Sequence, residues 1–237
     1  MSTVFIQPNI LYNYYTDTNF SHLCFSSVVE ITTVQTQKVV RDIVFLVDGS
    51  TYIGSSDFPH VRDFMINVVN LLDVRPDRVQ IGLLQFAEVP KIEFYLNSYG
   101  TRQDVVNRIT QLRPTGGSLL NTGAAMQYAL TNMFQTSTGS RRRQGVQQVL
   151  VLITGGPAQD QIRTVADKLA LAGVLTFTVS SGQADEAVLR TVAFVPDLAY
   201  HEGRFSNLPA LADQIICWLC FRKVSKIYFL LSVSDLL

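Results

Sequence analysis

The sequence predicts an α/β fold, a three-layer, doubly wound and mostly parallel sheet with one antiparallel edge strand and helices on both faces. Three observations predict it. Short continuous apolar runs such as Ile43–Val47, Val149–Ile153 and Val174–Val179 have the texture of strands buried on both faces. Between them, apolar residues recur at helical spacing, as in Phe58, Val61, Met65, Val68 and Leu72. Strands that alternate with helices imply right-handed crossovers and a sheet covered on both sides.

The elements follow in order. Ile43–Val47 ends at Asp48-Gly49-Ser50, and the helical stripe from Phe58 keeps Asp57, Arg62 and Asp63 outside it. Val79–Phe86 reads as a second strand. Ile92, Phe94 and Leu96 alternate with Lys91, Glu93 and Tyr95, the pattern of a half-exposed edge strand. Val105, Val106, Ile109 and Leu112 mark a short helix that stops at Pro114. After Gly116-Gly117 a helix is expected from about Leu119 to Phe134, then a polar loop over Thr136–Arg143. Ile162, Val165, Leu169 and Ala172 mark the next helix, and two more are expected over Ala184–Ala193 and Leu208–Trp218.

The chain has 237 residues, with 19 basic and 19 acidic side chains, so its formal net charge is zero. No global field attracts nucleic acid or an anionic membrane, and nucleic-acid binding is not expected. Cys24, Cys217 and Cys220 make no disulfide framework. No stretch reaches the roughly 18 apolar residues that span a bilayer. The C-terminal apolar stretch is interrupted by Arg222, Lys223 and Lys226. The N-terminus has neither the basic nor the apolar region of a secretory signal. Residues 1–37 read as a poorly ordered extension, with a weak strand at Val28–Val34 and a chance-level glycosylation sequon at Asn19-Phe20-Ser21. The domain is expected over 38–218, and 219–237 as an apolar and basic tail outside it.

In a doubly wound sheet, binding sites lie beyond the carboxyl ends of the strands. Asp48–Tyr52, Gly116–Thr122 and Thr154–Asp160 meet that condition. In order and spacing the runs RDIVFLVDGSTYIG, GGSLLNTGAAM and VLVLITGG resemble the three loops of von Willebrand factor type A domains. The likeness extends from about Lys38 to Ile216, and DRVQIGLLQF and LRPTGGSLLNTGAAM look most like the N-terminal A domains of type VI collagen chains. The resemblance implies a protein-binding module of the extracellular-matrix and adhesion type. Its partners would be matrix or cell-surface proteins, other A domains among them.

It also implies a site where three loops hold Mg²⁺ or Mn²⁺ through oxygen ligands. The first loop of the family reads Asp-x-Ser-x-Ser, and Asp48 and Ser50 match it while Tyr52 stands at the second serine. Leu120 stands at the threonine position of the second loop, and Gly155 at the aspartate position of the third. With two ligand positions kept and three replaced, no metal and no other cofactor is expected. Asp48 is then expected to accept hydrogen bonds from loop amides. Thr51, Thr122 and Asp160 are the candidates for substitute ligands.

The remaining motifs read blandly. Gly116-Gly117 and Gly155-Gly156 do not match a phosphate loop and are expected to be turn glycines. Arg141-Arg142-Arg143 has the charge to bind a sulfated glycan or an acidic protein, but a solvated loop is the expectation. Cys217-x-x-Cys220 lacks a second ligand pair, and His22, His60 and His201 show no nucleophile–base grouping, so no enzyme is expected. The alternatives to an extracellular module are an intracellular scaffold of the same type and a truncated product of a collagen-like gene.

Overall fold

The computed structural model describes residues 39–220. Six strands form one sheet in the order β3-β2-β1-β4-β5-β6. They are β1 Arg41–Asp48, β2 Val79–Phe86, β3 Pro90–Phe94, β4 Gln147–Thr154, β5 Val174–Ser181 and β6 Ala199–Glu202. All neighbours pair in parallel except β3, which runs antiparallel to β2 at one edge with a register shift at Leu83/Leu84. Six α-helices accompany them: α1 Phe58–Asn70, α2 Arg102–Thr110, α3 Thr122–Asn132, α4 Arg163–Leu171, α5 Glu186–Val192 and α6 Ala212–Cys220. The fold is the predicted three-layer arrangement.

Strand β1 shows how the layers are assigned. Its side chains alternate, so Ile43, Phe45 and Val47 join one core with residues of α1, α2 and α6. Val44 and Leu46 join the opposite core with α3, α4 and α5. All five are fully buried, which is why the strand is wholly apolar from Ile43 to Val47.

Three expectations shift. Helix α3 begins at Thr122 rather than Leu119. The preceding residues are held out of the helix by other partners: Asn121 donates from its backbone N–H to Ala87 O and from Nδ2 to Glu88 O, while Leu120 O accepts from the Gln159 N–H. The predicted helix over Leu208–Trp218 divides into a 3₁₀ segment, Phe205–Leu211, and then α6. Pro209 lies inside the 3₁₀ segment and has no N–H to give to an α-helical ladder. Strand β6 was not anticipated, because four half-buried residues, Ala199–Glu202, are too few to show an alternation. The expected extension over 1–37, with its Val28–Val34 strand and sequon, and the expected tail beyond Cys220 lie outside the described residues.

The order of strands reverses between β1 and β4, so the loops leaving their carboxyl ends diverge and open a crevice. The loop after β1, the 113–121 segment and the loop after β4 all meet there.

Candidate functional site at the carboxyl ends of the strands

The three loops are tied to one another by backbone hydrogen bonds. Gly116 N–H donates to Gly49 O at 2.7 Å, and Thr51 N–H donates to Gly117 O at 2.8 Å. Gly116 and Gly117 adopt positive φ values of 77° and 101°, as turn glycines do. Gln85, buried in β2, donates to Arg113 O and to Glu93, anchoring the base of the middle loop.

Asp48 ends β1 with no exposed surface. One carboxylate oxygen accepts from Ser50 N–H at 2.8 Å. The other accepts from Gly155 N–H at 2.9 Å and from the Thr154 hydroxyl at 3.2 Å. No cationic side chain touches it among the described residues. Burial therefore raises its pKa above the ordinary 3.8, against the opposing hydrogen bonds from Ser50, Gly155 and Thr154. Ser50 is buried too, and its hydroxyl accepts from Tyr52 N–H at 3.2 Å.

Tyr52, Leu120 and Gly155 converge on the same place. Leu120 is fully buried. A Cβ on Gly156 would stand 2.4 Å from Tyr52 Cγ and 2.7 Å from Leu120 Cδ1, so the tyrosine ring and the leucine methyl lie directly on that glycine. A Cβ on Gly155 would stand 2.7 Å from Ile53 Cγ1 and 2.8 Å from Phe205 Cζ. These glycines are needed for close approach, since a side chain at either would collide with packed neighbours. Around this apolar centre the rim exposes Val89 at 73% and Leu119 at 47%.

The other sequence candidates have structural employment. Asp160 accepts from Gly123 N–H at 2.8 Å and Ala124 N–H at 2.7 Å, capping α3 from a distant loop. The cap explains where that helix starts. Thr51 donates its hydroxyl to Gly117 O. The Thr122 hydroxyl is buried without a hydrogen-bond partner, in a narrow crevice with Thr154, Asp185 and Leu189. His60 lies on α1, half-buried Cys217 lies on α6 and Cys220 ends it, while His22 and Cys24 lie outside the described residues. Among the described residues no three His, Cys, Asp or Glu side chains stand close enough to hold a metal ion. No helix among them is long and apolar enough to cross a membrane.

Two arrangements correct the reading from sequence. His201 does have a hydroxyl partner, since Nδ1 lies 2.9 Å from Ser180 Oγ, across the β5–β6 pairing that puts the two residues in register. Ser180 is 1% exposed and its oxygen also lies 3.3 Å from Tyr200 O, so the pair fastens the edge strand to β5. Arg141 is not simply solvated. Its Nε and Nη2 grip Asp42 at 2.9 and 2.7 Å, while its own N–H and Gln148 Nε2 satisfy the second carboxylate oxygen. Asp42 is the second residue of β1 and shares the Val44 and Leu46 face, so the alternation implies a buried acid there, and a buried acid requires a partner.

The family model described as the von Willebrand factor type A domain matches residues 42–214. The Mus musculus collagen alpha-4(VI) chain is 36% identical over 82% of this chain and 9% of its own length. The Homo sapiens collagen alpha-1(XX) chain is 38% identical over 78% of this chain and 14% of its own. Matrilin-2 of Mus musculus is 30% identical over 76% of this chain and 19% of its own. The chain thus spans under a fifth of each of these relatives. Among solved structures, proximal thread matrix protein 1 from the mussel byssus superposes with a TM-score of 0.73 at 24% identity, over 77% of this chain and 48% of that one. One structure of that mussel protein is described with a zinc-occupied MIDAS motif.

Proposed function

This chain belongs to the von Willebrand factor type A domain family, and we propose that it is a non-enzymatic protein-binding module of the extracellular-matrix and adhesion type whose contacts do not depend on a divalent cation. The observation that carries the second half is the packing of Tyr52 and Leu120 onto Gly156. A small hard cation needs about six oxygens in octahedral array. The residues present do not fit one. Asp48 spends both oxygens on loop amides and a hydroxyl, Leu120 offers methyl groups, and Gly155 has neither a side chain nor room for one.

The matrix setting is supported by the relatives, which are collagen chains and a matrilin. Within this reading the module is the 38–218 domain, and its partners are matrix or cell-surface proteins, including other domains of the same family. A partner would meet shape and polar groups around Tyr52, Leu119 and Val89 rather than a coordination position.

The test pairs calorimetry of the purified chain against Mg²⁺ and Mn²⁺ with solid-phase binding to decellularised matrix, with and without EDTA. No heat of metal binding and EDTA-insensitive adhesion are expected. A binding heat that Asp48→Ala abolishes, or adhesion that EDTA removes, would overturn the proposal.

A further inference from the structure

We propose that the crevice between the starts of α3 and α5, beside the apolar centre of the site, takes the ammonium group of a lysine side chain from the partner protein. The Thr122 hydroxyl is the observation that carries it. Thr122 opens α3 and is 1% exposed, and its oxygen lines the crevice without a hydrogen-bond partner. The neighbouring hydroxyl, of Thr154, is already employed, since it reaches both Asp48 Oδ2 and Gly156 O at 3.2 Å. Asp185 lines the same crevice from the start of α5. Its Oδ1 accepts from Val188 N–H at 3.1 Å as the cap of that helix, and its second oxygen has no partner among the described residues.

The charge here is uncompensated. Asp48 lies behind Thr154, Asp160 holds the Gly123 and Ala124 N–H groups next to Thr122, and Asp185 faces the crevice itself. None of the three pairs with a cation among the described residues. Arg163, close to Asp160 in sequence, pairs with none of them, and Arg190 is taken by Glu186. The crevice admits a group about the size of one water molecule. A planar guanidinium is too large for it. One carboxylate and one free hydroxyl supply too few oxygens for a divalent cation, and the three carboxylates do not converge on one point. A primary ammonium is compact and brings three N–H donors to the two free acceptors, Asp185 and Thr122. The methylene stem of a lysine finds apolar wall in Ala158, Leu189 and Val188, and Val188, 37% exposed, marks where that stem reaches the surface. Gly156 both lines the crevice and lies under the Tyr52 ring and the Leu120 methyl, so an inserted lysine joins the contact around Tyr52. This deepens the protein-binding reading of the site and rests on it for the source of the lysine.

The test is NMR titration of the isotope-labelled full chain with lysine amide blocked at its α-amino group, and with the matching norleucine and arginine amides. The lysine amide should shift the backbone amides of Thr122, Asp185 and Val188, and the other two should leave them unmoved. Asp185→Asn keeps a helix cap and removes the charge, while Thr122→Val removes only the hydroxyl. Each should weaken the lysine amide about tenfold, as the loss of a hydrogen bond to a charged group does. Thr122→Val should do so without lowering the melting temperature, because in the free chain that hydroxyl has no bond to lose. No shift with the lysine amide, equal shifts with the norleucine amide, or an undiminished response in Asp185→Asn would each overturn the proposal. In parallel, adhesion of the chain to decellularised matrix should fall when the matrix lysines are acetylated. Adhesion that ignores both EDTA and acetylation would overturn this inference and leave the protein-binding reading standing, whereas adhesion that needs a divalent cation overturns the metal-free reading and leaves the amide titration to decide this one.

Discussion

Substituting Gly155→Asp returns to the third loop the carboxylate that the family's metal site uses, and the structure says that it will cost stability rather than create a site. A Cβ there would meet Ile53 at 2.7 Å and Phe205 at 2.8 Å. Forcing volume into a packed core costs about 1–3 kcal/mol. The introduced carboxyl would also lie beside Asp48, whose Oδ2 is only 2.9 Å from the Gly155 nitrogen. Two adjacent buried carboxylates do not both ionise, so one must hold its proton at neutral pH. Raising a carboxyl pKa from about 4 past 7 costs about 4 kcal/mol at 1.36 kcal/mol per unit. The total is roughly 5–7 kcal/mol, against a typical domain stability of about 5–15 kcal/mol. Gly155→Ala isolates the steric part and should lower the melting temperature by about 2–12 °C, at 2–4 °C per kcal/mol. Urea unfolding of parent, Gly155→Ala and Gly155→Asp at pH 7 and pH 4 separates the two costs. The gap between the variants should be about 4 kcal/mol at pH 7 and largely close by pH 4, and Mg²⁺ should not restore it. If Gly155→Asp unfolds with the parent at pH 7, or gains stability in Mg²⁺, the reasoning about this loop is wrong.

Further outcomes follow from the same structure. Leu46→Asp puts a charge on a fully buried strand face and should cost several kcal/mol or leave the chain insoluble, and an unchanged melting temperature would contradict its placement. Arg141→Ala strands Asp42 in the interior and should cost about 3–5 kcal/mol by urea unfolding, whereas Asp42→Asn combined with Arg141→Met should cost less. Burial raises the Asp48 pKa, so the folded chain holds that proton more tightly than the unfolded one. The stabilisation this gives is fully present below the unfolded value near 3.8 and is lost as pH rises through the folded value. The stability of parent minus Asp48→Asn, followed by urea unfolding from acid to neutral pH, should therefore fall as pH rises, and a difference that rises would refute the buried, uncompensated carboxylate.

Much of this architecture was legible because burial on both faces leaves a strong mark. The runs at Ile43–Val47 and Val149–Ile153 admit only apolar residues, and the motifs that follow them placed the loops. What escaped was decided by partners remote in sequence. The start of α3 depends on Asp160, thirty-odd residues away, and no local propensity at Leu119 reports it. The role of Arg141 depends on Asp42, which a run of three arginines cannot reveal. Sequence showed that Tyr52, Leu120 and Gly155 had departed from the family's pattern, yet not that their replacements pack on one another. That required the distances at Gly155 and Gly156.

The two margins of the sheet bear on how copies of such a domain could be joined. An open strand edge is a template on which another chain can extend the sheet. Here one margin is β6, only four residues long, and the other is β3, which carries Pro90 and Lys91 and departs from regular register with β2. Proline has no N–H to offer, and a charged side chain on an outermost strand discourages an incoming backbone. Among the described residues neither margin presents the long, flat run of free donors and acceptors that sheet-to-sheet polymerisation needs. A tandem or oligomeric arrangement of this unit must therefore be built through its two ends or its helical faces, and a high local concentration of copies, as in a fibrous assembly, can be sustained without the sheets fusing into one.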